Sequence, residues 1–276
     1  MSTIAAGLSA LDRLDRLARL DTAVHRVDPR AKVITTAVFV VCVVSTGKYD
    51  LLGLLPFAVF PVVLAAEGDL PLGFLGRLLL MASPFALVMA AFNPLFDREV
   101  VAWLGSVPVT GGWISFASIV LRFLLTVAAA LVLTATTSFA GVCLALEKLR
   151  VPEPLVTQLL LLYRYVFVLG DETRRMAQAR RLRSFGRRGR DWRVYGQMLG
   201  HLLLRTFARA QRIYLAMKAR GFDGSVRVAR PLHFGPGDLV FTLGWSALFA
   251  LFRTVNVPLA LGRLVAGVLG IAAGTG

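Results

Sequence analysis

From Trp113 to Leu146 the chain runs for 34 residues with a single charged side chain, Arg122. A helix rises 1.5 Å per residue, and about 20 apolar residues suffice to cross the hydrocarbon core of a bilayer. The stretch is too long for one crossing and needs a break, which the Thr134–Ser138 cluster supplies. That leaves a membrane span near Phe116–Ala135 and a short interfacial helix over Phe139–Leu149. Comparable apolar runs cover Ala31–Thr46, Asp50–Ala66 and Leu72–Phe92, and another runs from Leu239, or from near Phe234, to Phe252. Pro56 and Pro61 are tolerable in the second run because neighbouring helices can satisfy the freed carbonyls. Arg77 lies near the start of the third, where it can snorkel. Asn93–Gly112, rich in Pro, Gly and charge, reads as a loop, and Val257–Ala273 as a sixth span or a short return. Hydrophobic residues make up 57% of the chain, and the mean hydropathy is +0.69. Both values lie above the soluble range. The expected fold is an all-α membrane protein with about five, at most six, transmembrane helices.

The formal charge is +15, and residues 171–232 hold sixteen basic and four acidic groups, which is +12 of it. Lys and Arg near span ends mark the cytoplasmic side. This segment and the N-terminus, with its own six basic residues among the first 32, are therefore expected inside, and the 93–112 loop outside. The first 32 residues are Arg- and Asp-rich and do not read as a leader peptide. Leu155–Leu169 is short and carries Arg164, so it is placed at the interface or inside the bundle, continuing as one helix to Arg183. After a basic turn at Phe185–Arg190, a long amphipathic helix follows. Its apolar stripe includes Met198, Leu199, Leu202, Leu203, Phe207 and Tyr214, with Arg205, Arg209, Arg212 and Lys218 off it. The organisation expected is an arm with four spans (1–136), a cytoplasmic and interfacial helical module (137–232) and the C-terminal membrane segment (233–276).

Catalytic and metal constellations are missing from the sequence pattern. His25, His201 and His233 have no Cys or His at ligand spacing, and no phosphate-binding Gly-rich loop occurs. Cys42 and Cys143 sit in apolar runs as small hydrophobes. Nucleic-acid binding is disfavoured, because no aromatics interleave the basic residues. The informative pattern is an echo at an offset of 37 residues: Ala179-Arg180-Arg181-Leu182-Arg183-Ser184-Phe185 and Ala216-Met217-Lys218-Ala219-Arg220-Gly221-Phe222. Both read Ala-x-basic-x-Arg-small-Phe and fall at helix ends, where an Arg suits the dipole and a Gly suits the left-handed cap. Its plainest reading is a basic face on anionic lipid.

Together with His25-Arg26-Val27-Asp28-Pro29-Arg30-Ala31-Lys32, Leu121-Arg122, Val151-Pro152 and Tyr163-Arg164-Tyr165, the echo resembles the transmembrane T component of energy-coupling-factor (ECF) transporters. This is the CbiQ/EcfT family, and the likeness is to its cobalt-type branch. The resemblance implies two long coupling helices whose Arg motifs dock on two ABC-type ATPase subunits. The coupling residues would be Ala179, Arg183 and Ser184 in the first motif, and Ala216, Ala219, Arg220 and Gly221 in the second. The first motif departs from the family pattern, with Leu-Arg-Ser for Ala-Arg-Gly. The apolar stripe would face a substrate-binding membrane S component, with a small accessory membrane subunit and lipids as further partners. ATP and Mg would bind the ATPases and cobalt the S component, so this chain would hold no cofactor and no catalytic site. It would be a multi-pass protein of the bacterial inner membrane. Nickel or a vitamin is the alternative cargo. A secondary transporter is the alternative class, but it would want broken helices in inverted repeats.

Overall fold

The structure, a computed structural model, describes residues 2–96, 100–104, 107–183, 192–224 and 234–254. Its helices are α1 (Ser2–Leu17), α2 (Ala23–Arg26), α3 (Pro29–Ser45), α4 (Val59–Glu67), α5 (Leu72–Ala91), α6 (Asn93–Phe96), α7 (Gly111–Thr136), α8 (Phe139–Lys148), α9 (Glu153–Arg183), α10 (Trp192–Ala219) and α11 (Pro236–Thr254). They fall into two compact units, one within Met1–Leu14 and Phe139–Pro231, the other within Asp15–Ser138 and Leu232–Gly276. The turn at Phe185–Arg190 and the run Val257–Ala273 lie outside the described residues.

Two expectations need correction. The 93–112 segment is not simply a loop: α6 is followed by an antiparallel hairpin of β1 (Val100–Leu104) and β2 (Val107–Thr110), with Trp103 opposite Pro108. Proline lacks an N–H but is tolerated on an edge strand, and a two-stranded ribbon has nothing but edges. Helix α4 is also shorter than the run that contains it. Leu52–Ala58 winds as a tighter 3₁₀ helix with Pro56 inside, and only then does the chain become α-helical.

In the larger membrane unit the helix directions can be read from contacts at their ends. Asp28 meets Asp238 at the starts of α3 and α11, and Arg253 meets the Ser45 carbonyl at their other ends, so these two run parallel. Lys32 reaches the last carbonyl of α7, while Arg122, half-way along α7, reaches the end of α3; these two run antiparallel. Gly68, just past α4, lies beside Thr136, so the turn into α5 shares that end as well. The core is aromatic. Phe39, Phe60 and Phe249 pack with centroids 4.9–5.3 Å apart, and Phe57 and Trp245 extend the cluster. Helices α5 and α7 are long and apolar enough to cross a membrane by themselves. Shorter α3 and charged-ended α11 complete an all-α membrane protein.

Among the described residues, three helices end in the same hydrogen-bonded cap, in which the chain turns left-handed and two amide N–H groups fold back onto the last turn. After α4, Leu70 N–H donates to Ala65 O and Asp69 N–H to Ala66 O; after α8, Val151 N–H donates to Leu146 O and Arg150 N–H to Glu147 O. The left-handed residues are Asp69 (φ 50°) and Arg150 (φ 70°), and only the third such end, after α10, uses glycine. The break between α7 and α8 falls at Thr137 and Ser138, inside the polar cluster that requires it.

Candidate functional site

The unit built from α8, α9 and α10 carries the paired motifs. Helix α9 has 31 residues and α10 has 28, and the two run antiparallel. At one end Thr157 Oγ1 donates to Gly224 O at 3.2 Å; midway Arg205 pairs with Glu172 at 2.8 Å; at the other end the Arg180 guanidinium lies 4.1 Å from the centre of the Tyr195 ring. Phe139 of α8 stacks on Tyr163 of α9 at 4.5 Å.

This pairing sets the positions of the two arginines. Arg183 is the last described residue of α9, and Arg220 follows the last residue of α10; both are exposed. Because Gly224 sits against Thr157, Arg220 lies near the start of α9 and Arg183 at its end. At 1.5 Å per residue the separation is about 40 Å. Around Arg220 the backbone is defined closely: Phe222 N–H donates to Met217 O and Gly221 N–H to Lys218 O, with Gly221 at φ +80°. Glycine is needed there because an L side chain is strained in the left-handed region. Ala216, Ala219 and Gly221 are exposed beside Arg220, Ala179 is half-buried, and Ser184 lies outside the described residues.

The apolar stripe divides. Met198 and Leu202 are half-buried, as are Thr206, Ile213 and Met217 along the same face. Leu199, Leu203, Phe207 and Tyr214 are 54–67% exposed, and Leu204 and Leu215 join them. The last two fall outside the stripe read from the sequence. Scattered exposed apolar side chains are ordinary, but a contiguous row of this size marks an interaction or membrane surface.

The membrane unit contains a second cluster, whose role was not legible in the sequence. Asp28, whose side chain is 1% exposed, caps α3 by accepting from Arg30 N at 2.8 Å, with Pro29 at the first helical position. Its own N–H donates to Asp238 Oδ1 at 2.8 Å, and Asp238 Oδ2 accepts from Gly235 N at the start of α11. Buried Lys32 donates to Thr136 O at 2.9 Å, placing an ammonium on the negative end of α7. Arg122 and Arg253 treat the end of α3 in the same way, donating to the carbonyls of Thr46, Gly47 and Ser45. His25 accepts from Thr22 Oγ1 at Nδ1 and donates from Nε2 to Leu17 O, an assignment that satisfies both contacts with a neutral ring. Burial, reinforced by the Lys32 charge, holds that imidazole below its ordinary pKa. The Asp-Pro-Arg-x-Lys run is thus a structural corner fastening three helices. Among the described residues no group of three His, Cys, Asp or Glu side chains could hold a metal ion.

Residues 21–230 match the family model CbiQ, described as a cobalt transport protein. The chain belongs to the CbiQ/EcfT family. Its relatives include an uncharacterized protein of Methanocaldococcus jannaschii, 28% identical over 86% of this chain and 85% of its own length. The cobalt transport protein CbiQ of Rhodobacter capsulatus is 36% identical over 43% of this chain and half of its own. The energy-coupling factor transporter transmembrane protein EcfT of Listeria innocua is 27% identical over 72% of this chain and 80% of its own. Membership makes the chain a transmembrane component of an ECF transporter, a class of subunit that is not itself catalytic.

Proposed function

We propose that the chain is the coupling subunit of an ATP-driven cobalt importer, in which Arg183 and Arg220 dock on two ABC-type ATPase subunits. The supporting observation is their placement: two exposed arginines, each at the last described turn of a long helix, at opposite ends of one antiparallel pair. A guanidinium stays charged and can fork onto a carboxylate, so a single Arg can carry a push from a partner without a covalent link. The exposed row Leu199, Leu203, Phe207 and Tyr214 would receive the substrate-binding S component. ATP and Mg would stay on the ATPases and cobalt on the S component.

The membrane unit supports the orientation. Thr136, Asp28 and Asp238 share one end of it, so the chain leaves the membrane unit after α7 and re-enters it at α11 at the same end, which the basic charge between them assigns to the cytoplasm. Cobalt rests on the family description and the Rhodobacter relative. Nickel is the second reading, because the nickel permease LarQ of Lactiplantibacillus plantarum is 32% identical over 32% of this chain. The test is metal uptake in cells expressing the whole transporter, alongside co-purification of the ATPases. Arg220→Ala, and Arg183→Ala more mildly, should leave the protein inserted while ATP hydrolysis continues without uptake. Normal uptake by the double variant overturns the scheme, and preferential nickel uptake by the wild type overturns the cobalt assignment.

A further inference from the structure

Between α9 and α10 lies an apolar hollow of about 550 Å³, walled by Leu161, Leu162, Ile213, Met217 and Phe222. At Leu169, Thr206 and Arg209 it meets a second hollow of about 430 Å³, whose lining includes Arg205, Arg209 and Arg212. The acid in this second hollow, Glu172, is already paired with Arg205 at 2.8 Å. Arg209 and Arg212 are exposed and have no acidic partner among the described residues. We infer that this two-part groove binds an anionic phospholipid, with an acyl chain in the apolar hollow and the phosphate on Arg209 and Arg212.

The two halves exclude simpler occupants by their chemistry. A free phosphate would gain nothing from the apolar half, and a neutral amphiphile would leave two unpaired arginines facing it. An anionic headgroup satisfies both halves at once, since each basic residue near anionic lipid contributes about fivefold in affinity. Two such residues then predict a preference of roughly 25-fold for an anionic over a zwitterionic headgroup on the same chains. The inference rests on the coupling reading above together with the expectation that the 137–232 module is interfacial, and a bound lipid would wedge α9 and α10 at a fixed spacing.

The test uses the full-length chain with its ATPases, purified in detergent and titrated with dioleoyl phosphatidylglycerol or dioleoyl phosphatidylcholine, with bound lipid counted by native mass spectrometry. The expected result is a strong preference for phosphatidylglycerol that falls towards parity in the R209Q/R212Q variant. Ile213→Trp, which fills the apolar hollow, should lower retention of both lipids. Equal retention of the two lipids by the wild type overturns the proposal, as does an unchanged preference in R209Q/R212Q. Competition by inorganic phosphate as effective as that by phosphatidylglycerol also overturns it, since the acyl chain would then be irrelevant. If Ile213→Trp keeps its helical circular dichroism and binds phosphatidylglycerol as the wild type does, the apolar hollow is not the site. ATPase co-purification, scored on the same samples, reports separately on the coupling reading.

Discussion

Replacing Lys32 by Met keeps the apolar stem and removes the ammonium, which isolates what that charge does for the corner. Lys32 is 3% exposed and donates to Thr136 O at 2.9 Å, with the carboxylates of Asp28 and Asp238 nearby. Two effects oppose each other. Removing a buried charge recovers desolvation energy, whereas the helix end and the carboxylates lose the cation that offsets them. The loss should win, because these negative groups stay behind and Asp28 Oδ2 is already buried without a hydrogen-bond partner. A hydrogen bond to a charged group is worth about 1.5–3 kcal/mol, and its loss sets the scale at roughly 2–3 kcal/mol net, or a fall in Tm of about 5–10 °C. Thermal unfolding in detergent at pH 7.5 measures it. Lys32→Met combined with Asp28→Asn should cost about 1 kcal/mol less than the sum of the singles, since one stranded charge is gone. A Lys32→Met protein that melts within about 1 °C of the wild type would refute the reasoning.

Other expectations concern caps and pH. Gly221→Ala should cost about 1–2 kcal/mol through its left-handed φ alone, because an added Cβ meets no neighbouring atom. Gly221→Asn should cost less, and both should reduce metal uptake in the order of their strain. At the matching position after α8, Arg150→Gly should stabilise by about 1 kcal/mol, read as a higher Tm. His25, its pKa depressed by burial, should destabilise the fold as pH drops below about 6.5, the value free histidine would have, and through its lower folded value. His25→Gln should remove that part of the pH slope in Tm measured from pH 7.5 to 5. Arg122→Leu should lower Tm by several degrees, since it strips donors from two carbonyls at the end of α3.

The membrane helices were largely legible because hydrocarbon thickness imposes a length on them. The Thr-Ser break, the long α9 through Arg183 and the amphipathic α10 all follow from period and charge. The β-hairpin was missed because Pro108 and the flanking glycines outweigh the β-branched residues when each strand is read alone. Strand pairing between Trp103 and Pro108 is a relation between segments, and no local window contains it. The division of the α10 stripe was hidden for a similar reason. Apolar positions at helical spacing define a face, but the spacing alone does not say that Met198 and Leu202 are half-buried while Leu199 and Phe207 stay open. Asp28-Pro29-Arg30-Ala31-Lys32 stood out as a motif, yet its partners Thr136 and Asp238 lie over a hundred residues away.

The antiparallel course of α9 and α10 gives the proposed assembly a gear ratio. Two anchor points about 40 Å apart turn by about 14° when one slides roughly 10 Å sideways relative to the other, and a point midway between them travels only half as far. Leu203 and Phe207 sit near that midpoint, close to the Arg205–Glu172 pair. A cargo subunit resting there would be tilted far more than it is carried. Large strokes at the ends of the strut would reach it as rotation.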